Sequence, residues 1–350
     1  METMKAVVYR GHETIELVDH PMPKILEPRD ALVRVTRSTI CSSDLHIVHG
    51  TVPRAKTDIV LGHEFVGEVM EVGSAVKKFK PGDRVAVNVE SFCGDCFFCR
   101  RGYVNNCVEG GWELGCRIDG CQAEYVRVPT ADQSMTPIPE GVSDEDALFV
   151  GDVLATGYWA AQIGEIEPAS TIVVQGAGPT GLCTMMCARL YSPATIIAVD
   201  VNDHRLNVAK ENGLCDIALN PKRDDIDAVV KSLTDGRGAD RVFEVAGLSS
   251  TFQQAWQIAR PNAIVVVVAL YAEAQSIPLH LMYGKNLTFK TGGVDANACG
   301  DIMKLIQAGR INTNCMITHR APLNDILTGY KVFENQEDGC IKWVVTPYER

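Results

Sequence analysis

The composition lacks what a membrane span or a nucleic-acid surface requires. Lys and Arg number 33 against 44 Asp and Glu, and the net charge of −11 argues against a general nucleic-acid surface. The longest apolar run, AIVVVVALYA at 263–272, suits a buried strand and is too short to cross a bilayer. The N-terminal stretch lacks a charged head followed by an apolar core, so we expect no secretory signal and a cytoplasmic protein.

What the chain does contain is an ordinary globular composition and many cysteines. Its 350 residues are 46% hydrophobic, which is long enough and apolar enough for two domains. In a reducing compartment, the 13 cysteines predict thiols and metal ligands rather than disulfides.

Four of these cysteines lie within one short segment, CGDCFFCRRGYVNNC, as Cys93, Cys96, Cys99 and Cys107. Four thiolates suit zinc in a closed tetrahedral site, or an iron–sulfur cluster. Unliganded thiols and a redox pair of Cys93 and Cys96 are weaker alternatives, because such a cluster without a ligand is a redox liability. A closed set of four ligands leaves no position for a substrate. We therefore predict a structural zinc here and expect the chemistry elsewhere.

The pattern of secondary structure changes along the chain. The segments MKAVVY, ALVRVTRS, FVGEVMEVG and DRVAVNV predict a mostly β domain in the first 150 residues, and residues 129–148 have the polar, turn-rich character of a linker. From about residue 153, apolar strands alternate with helical stretches, which predicts an α/β fold with a parallel, doubly wound sheet. The last fifty residues add a helix, PLNDILTGYKVFEN, and a strand, CIKWVVTP.

A glycine-rich motif follows the first apolar strand of the alternating region. In STIVVQGAGPTG, Gly176, Gly178 and Gly181 form G-x-G-x-x-G around Pro179 and Thr180, and the motif opens a helix. In this context it predicts a dinucleotide site, because the glycines permit a tight turn, close approach of the pyrophosphate and close helix packing. The helix N-terminus would offer N–H groups to the phosphates.

The residue that ends the next strand bears on the choice of cofactor. Asp200 stands where a carboxylate can bind both ribose hydroxyls of NAD and repel the 2′-phosphate of NADP, so we predict NAD. The alternative is a turn aspartate beside Asn202 and Asp203. Arg205 could reach a 2′-phosphate, but with Asp200 present we expect it at the ribose edge or on the surface.

Three further stretches carry candidate catalytic residues: TICSSDLHIVHG, VLGHEFVGEV and FVGDVLATGYWAA. Taken singly, each has an ordinary explanation. Cys41 suits a small buried side chain, His63 a loop residue, and Asp152 the N-cap of the helix that follows.

Together with the cysteine segment and the glycine motif, these stretches resemble the zinc-dependent medium-chain alcohol dehydrogenase family, in the same order and essentially end to end. The resemblance implies a GroES-like, β-rich catalytic domain at 1–152, completed by 297–350, and a Rossmann NAD-binding domain at 153–296. It also implies a catalytic and a structural zinc, a homo-oligomer (dimer or tetramer), and hydride transfer between an alcohol and NAD with zinc as Lewis acid.

For the catalytic zinc, the resemblance implies Cys41 and His63 as ligands. Many family members have a cysteine as third ligand where this chain has Asp152, which looks like the secondary-alcohol dehydrogenase branch. Some polyol dehydrogenases use instead the glutamate beside the histidine, here Glu64. A carboxylate preserves the ligand charge and still suits zinc, so Asp152 and Glu64 both stand as candidates.

The resemblance also implies roles for residues around this centre. Ser43 and His46 match the family's proton relay, in which the hydroxyl contacts the substrate oxygen and the imidazole passes the proton outward. Thr156 matches a threonine that contacts nicotinamide, and Lys342 matches a basic residue near the pyrophosphate.

The substrate is the least determined feature of the sequence. Trp112 matches a pocket-lining tryptophan of related secondary-alcohol enzymes, although core packing would also explain it. Cys121 and Gln122 replace a Gly–Phe pair of the family, and losing the aromatic ring is expected to enlarge the pocket for a bulky ketone. A secondary alcohol is the leading prediction, with a polyol, a hydroxysteroid and a non-catalytic binding protein as alternatives. Tetrameric secondary-alcohol enzymes often lack the cysteine lobe, so its presence leaves the branch open.

Overall fold

The computed structural model describes residues 2–348. The chain forms two compact units. We call the first the terminal unit, which contains the described residues up to Ala155 and from Asp295 onward, and the second the central unit, Thr156–Val294.

Short strands dominate the N-terminal part of the terminal unit. The strands are β1 (Thr3–Gly11), β2 (Thr14–Pro21), β3 (Ala31–Thr39), β4 (Ile59–Val60), β5 (Phe65–Val72), β6 (Arg84–Val87), β7 (Glu90–Ser91), β8 (Gly111–Trp112), β9 (Tyr125–Val128) and β10 (Met135–Pro137). The helices are α1 (Ser42–Val48), α2 (Ala131–Ser134) and α3 (Asp144–Ala147), and α4 (Val153–Ile163) then leads into the central unit.

Strands and helices alternate in the central unit. They are β11 (Thr171–Gln175), α5 (Pro179–Ala188), β12 (Thr195–Val199), α6 (Asp203–Glu211), β13 (Ile217–Leu219), α7 (Ile226–Leu233), β14 (Ala239–Glu244), α8 (Ser249–Ile258), β15 (Ala259–Val267), α9 (Leu279–Met282) and β16 (Thr288–Thr291). The chain then returns to the terminal unit with α10 (Cys299–Gln307), β17 (Ile317–Pro322), α11 (Ile326–Asn335) and β18 (Lys342–Thr346).

The terminal unit is built on a seven-stranded sheet in the order β10-β6-β5-β3-β18-β17, with β9 also paired to β3. Alternate residues of β3 point into its core, where Val33 and Val35 pack with Phe65 of β5 and Val85 of β6. This alternation is what a sheet with one covered face requires. Because β18 pairs antiparallel with β3, the last part of the chain completes a sheet that the first part begins.

The central unit is a six-stranded parallel sheet in the order β13-β12-β11-β14-β15-β16. Every residue of β11 is buried, as expected of a strand covered on both faces. The predicted doubly wound α/β sheet is therefore confirmed. The strand order reverses direction at β11 and β14, and ligands of such sheets bind outside the carboxyl ends of the strands at this point.

The interpretation of residues 129–148 as a linker is wrong. This segment contains α2 and α3, and its strand β10 pairs with β6 at the edge of the large sheet. Its turn-forming residues join very short elements: Ser143 caps α3, and its Oγ accepts a hydrogen bond from the Asp146 N–H at 3.1 Å. No helix within residues 2–348 is both long and apolar enough to span a membrane.

Candidate active site

Three predicted ligands converge in the terminal unit. Cys41 follows β3 at the start of α1, His63 follows β4, and Asp152 precedes α4. Their ligand atoms all lie within 4.8 Å of one another. Asp152 Oδ2 is 3.5 Å from Cys41 Sγ and 3.3 Å from His63 Nε2. A thiolate, an imidazole and a carboxylate at this spacing fit zinc with one coordination position left open.

A chain of buried polar groups orients His63 from behind. Its Nδ1 lies 3.2 Å from Asp44 Oδ1, and Asp44 Oδ2 accepts hydrogen bonds from the Cys41 N–H and the Gln122 side-chain amide. Gln122 Oε1 in turn accepts one from the Tyr330 hydroxyl at 2.7 Å. Burial alone would lower the pKa of His63, but the charge of Asp44 and the bond to Asp152 raise it well above its usual value. Such outer partners fix the ring and increase its basicity toward a metal.

This network corrects one prediction and adds two residues that sequence reasoning missed. Gln122 does not enlarge a pocket, because its side chain is fully buried and both ends of its amide are engaged. Asp44 and Tyr330 were not singled out from the sequence. Asp44 alone had a local signal, since it stands three residues after Cys41 at a helix N-terminus, where an acid often caps the preceding N–H.

The two predicted relay residues are placed differently. Ser43 Oγ lies 3.2 Å from Cys41 Sγ and 3.0 Å from His63 Nε2, directly beside the ligand atoms. His46 lies one turn further along α1, and its Nδ1 is 2.9 Å from Thr51 Oγ1. Among the described residues no hydrogen bond joins Ser43 to His46, so a relay between them needs a bridging group.

Glu64 is turned away from the three ligands and into a buried ion pair. Its Oε2 accepts a hydrogen bond from Lys342 Nζ, and its Oε1 accepts one from the Val153 N–H at 3.3 Å. Both charged side chains are fully buried. Burial would lower the pKa of Lys342, but the charge of Glu64 raises it further, which keeps the ammonium protonated.

The environment of Lys342 corrects its predicted contact with a pyrophosphate. Besides Glu64, its ammonium donates to the Ile40 carbonyl at 3.2 Å and lies 5.6 Å from the centre of the Phe149 ring. A fully buried ammonium with these partners is not available to a phosphate. The structure instead makes Lys342 the counter-ion of Glu64.

Trp112 stands against the same centre. It pairs with Glu90 in the short β7–β8 ladder, and its ring meets the His63 ring edge to face, with 5.3 Å between centroids. The side chain is only 8% exposed, and its Nε1 has no hydrogen-bond partner within residues 2–348. The indole therefore forms one wall beside the ligand histidine.

The cysteine segment closes on itself between β7 and β8. The sulfur atoms of Cys93, Cys96, Cys99 and Cys107 lie within 4.8 Å of one another, with 3.4 Å between those of Cys96 and Cys99. Main-chain N–H groups point at three of the sulfurs, for example from Cys93 to Cys107 at 3.3 Å. Backbone N–H groups lower the pKa of Cys96 to about 6, because N–H bonds to sulfur favour the thiolate, whereas burial raises the pKa values of Cys99 and Cys107. The described cysteines are all free of disulfides, so the set fits a closed zinc site.

The glycine motif forms the expected turn in the central unit. Gly176 adopts φ +105°, and a side chain at Gly181 would put its Cβ 1.8 Å from the Gly176 carbonyl oxygen. Gly178 is the N-cap of α5, with Pro179 at its first position and Thr180 next. The N-terminus of α5 thus begins at the carboxyl end of β11, which suits a phosphate.

Asp200 is fixed beside this turn. Its Oδ2 accepts a hydrogen bond from the Ala177 N–H at 2.7 Å, and its Oδ1 accepts one from the Asn202 N–H at 2.8 Å. A Cβ at Gly178 would lie 3.4 Å from Arg205 Nη1, so the guanidinium also faces the glycine turn. Thr156 is half-buried on α4, four residues after Asp152.

Comparison with known proteins shows which protein family the chain resembles. Residues 27–140 match the alcohol dehydrogenase GroES-like domain, and residues 179–307 match the zinc-binding dehydrogenase domain. An alcohol dehydrogenase of Cupriavidus necator is 36% identical, and the match covers 99% of both chains. The chain belongs to the zinc-dependent medium-chain alcohol dehydrogenase family.

Two further members of this alcohol dehydrogenase family bear on the fold and on the cofactor. The solved structure of zinc-dependent alcohol dehydrogenase 2 from Streptococcus pneumonia is similar with a TM-score of 0.93 at 34% identity, covering 99% of each chain. The NADP-dependent isopropanol dehydrogenase of Entamoeba histolytica is 31% identical over 98% of this chain and 96% of its own. Zinc-dependent oxidation of an alcohol or reduction of its carbonyl product is thus the family's activity, and this relative from Entamoeba histolytica uses NADP.

Proposed function

We propose that this alcohol dehydrogenase transfers hydride between a secondary alcohol and NAD, with Cys41, His63 and Asp152 as the ligands of a catalytic zinc. The observation that carries the proposal is the convergence of these three side chains within 4.8 Å. Glu64 is a weaker candidate for the third ligand, because both of its carboxylate oxygens are already engaged. This supports the secondary-alcohol reading over the polyol reading that rests on Glu64.

The residues of the terminal unit have separate tasks in this reaction. When bound, zinc supplies a Lewis acid that lowers the pKa of an alcohol oxygen. Ser43 lies against two of the ligands and can hydrogen-bond the alcohol oxygen through its Oγ. It can take the alcohol proton only as it releases its own proton to a bridging group, such as water, that leads toward His46. Asp44, which Gln122 holds, orients His63 so that its Nε2 stays directed toward Asp152 Oδ2, where both would hold the metal. Trp112 walls one side of the site and excludes water from it.

Zinc analysis and a substrate panel test this proposal together. The purified enzyme should oxidise secondary alcohols with NAD, while polyols and hydroxysteroids with the same cofactor should turn over more slowly. Nicotinamide absorbance gives the rate, and metal analysis gives the zinc content. Faster turnover of polyols than of simple secondary alcohols would transfer support to the polyol reading, and zinc-free enzyme with full activity would contradict the zinc mechanism.

Asp200 underlies the choice of NAD, and its replacement by glycine should reverse that choice. The variant loses the carboxylate that repels a 2′-phosphate, so the ratio of kcat/KM for NADP over NAD should rise about 100-fold. Asp203→Asn is the matched control, because this neighbouring carboxylate is exposed and pairs with Arg223 instead of the glycine turn. A wild-type enzyme that already prefers NADP would overturn the assignment.

The cysteine segment is proposed to hold a second, structural zinc. Cys99→Ser replaces one of four closely packed sulfurs, so zinc content should fall by half while kcat falls much less. Proteolysis within residues 93–107 should become faster, because the loop loses its cross-link. Cys315→Ser serves as control, since this half-buried cysteine lies outside both ligand groups. A stable Cys99→Ser protein with wild-type zinc content would show that the segment holds no zinc.

A further inference from the structure

Arg54 contacts Trp112, which in turn contacts the predicted zinc ligand His63. The Cζ atom of Arg54 lies 5.2 Å from the centroid of the Trp112 ring, and that ring lies 5.3 Å from the ring of His63. All three residues belong to the terminal unit. Nothing in the family resemblance or in the ligand set assigns a task to this guanidinium.

The backbone under Arg54 is a constrained turn rather than a loose loop. The Ala55 N–H donates to the Val52 carbonyl at 3.0 Å, which makes Pro53 and Arg54 the central residues of a β-turn. Proline fixes φ at the first central position of such turns. The next residue is fastened too, because the Lys56 N–H donates to the Cys116 carbonyl at 2.8 Å. The turn therefore fixes the main chain from which Arg54 reaches over Trp112, so little backbone entropy is lost when a ligand binds.

The Arg54 guanidinium also lies near the thiol of Cys116. Burial raises the pKa of that thiol, and the charge of Arg54 acts against the rise. An anion bound beside the turn would gain from the same guanidinium.

Three acids of the terminal unit already have partners. Asp58 pairs with Arg10 at 2.9 Å, Glu113 pairs with Arg117 at 3.5 Å, and Asp119 Oδ2 lies 3.1 Å from His20 Nε2. Within residues 2–348, no carboxylate lies within 4.0 Å of the Arg54 guanidinium, whose residue is exposed. The chain therefore leaves one guanidinium uncompensated beside the site of an enzyme whose net charge is −11.

We infer that the substrate is a secondary alcohol that also carries an anionic group, a carboxylate or a phosphate, which Arg54 binds. The inference rests on the proposed function, because it takes the hydroxyl to the Cys41–His63–Asp152 centre. Guanidinium binds either anion through paired, charge-assisted hydrogen bonds. Steps of 5.2 Å and 5.3 Å separate Arg54 from His63, so the anion lies several bonds from the hydroxyl-bearing carbon and not on the adjacent carbon.

The test compares alcohols that differ only in the distal group. 4-Hydroxypentanoate, its neutral amide and 4-hydroxypentyl phosphate are assayed with NAD and with NADP on wild type and Arg54→Gln. For wild type, one of the two anionic alcohols should exceed the amide, and the better one identifies the anion. Arg54→Gln should lower kcat/KM for that anion about 10- to 100-fold, mainly through KM, and lower it for the amide less than threefold. Arg54→Lys should recover part of the loss.

Lys56→Gln is the matched control, because it removes a cation from the same turn without uncovering Trp112. It should leave every ratio unchanged. Equal losses for amide and anion in Arg54→Gln would show that Arg54 only packs on Trp112, and would overturn the inference.

A binding measurement separates failure of the inference from failure of the proposed function. Calorimetric titration with 4-oxopentanoate, the ketone of the first substrate, should give a tighter Kd for wild type than for Arg54→Gln. If no alcohol turns over with either dinucleotide, the proposed function fails, and the difference in 4-oxopentanoate affinity alone decides the role of Arg54. Turnover of neutral alcohols without any such difference rejects the inference and leaves the proposed function intact.

Discussion

The Asp152→Ala variant is expected to lose its catalytic zinc and to retain at most about a thousandth of the wild-type kcat/KM. Asp152 Oδ2 lies within 3.5 Å of the donor atoms of Cys41 and His63, so its removal leaves only two protein ligands. Two ligands do not hold zinc against exchange in a site that must keep a position open for substrate. The measurements are zinc per chain and steady-state turnover of a secondary alcohol.

Two conservative variants separate the loss of a ligand from general damage. Asp152→Cys supplies the thiolate that many family members have and should keep most of the zinc, whereas Asp152→Asn, a neutral amide, should bind it more weakly. The structural zinc should remain in all three. If Asp152→Ala kept its full zinc content and turned over normally, Glu64 would be the third ligand.

The Lys342→Met variant should lower the free energy of unfolding of the terminal unit by about 3–5 kcal/mol. Lys342 and Glu64 are both fully buried and hydrogen-bonded to each other, so removing the ammonium leaves a buried carboxylate without its counter-ion. Methionine keeps the length of the side chain and adds no new polar group. Urea denaturation, followed by a probe confined to the terminal unit, measures the loss.

The double variant Glu64→Gln/Lys342→Met provides the control for that prediction. A neutral amide needs no counter-ion, so the double variant should recover part of the stability lost in Lys342→Met. Unchanged stability of Lys342→Met would mean that Glu64 is protonated in the folded protein and that the pair carries little charge interaction.

Local patterns made the fold and the position of the metal site predictable. Alternating strands and helices after residue 153 indicated the parallel sheet, and the turn at Gly176 forms as its motif requires. The linker reading of 129–148 failed, because turn residues mark the ends of very short elements as well as open loops. Composition over a window does not separate these cases.

Partners that lie far apart in the chain could not be predicted from local signals. Gln122 bonds to Asp44 and Tyr330, and Lys342 to Glu64 across 278 positions, and each pairing depends on how distant strands pack. Matching single positions to the family pattern assigned Gln122 to the substrate pocket and Lys342 to the pyrophosphate, and the structure gives both residues other partners. The choice of NAD, the cellular compartment and the number of subunits stay predictions, since none depends on a contact within this chain.

The β7–β8 ladder makes the cysteine lobe a removable module. Ser91 and Gly111 are direct partners in that ladder, so the chain leaves and returns at adjacent positions before and after residues 92–110. A two-residue hairpin turn could join the same two strands without moving Trp112 from the His63 ring. This zinc-bearing insertion can therefore be gained or lost in one evolutionary event. The residues around His63 and Trp112 can change independently of that event.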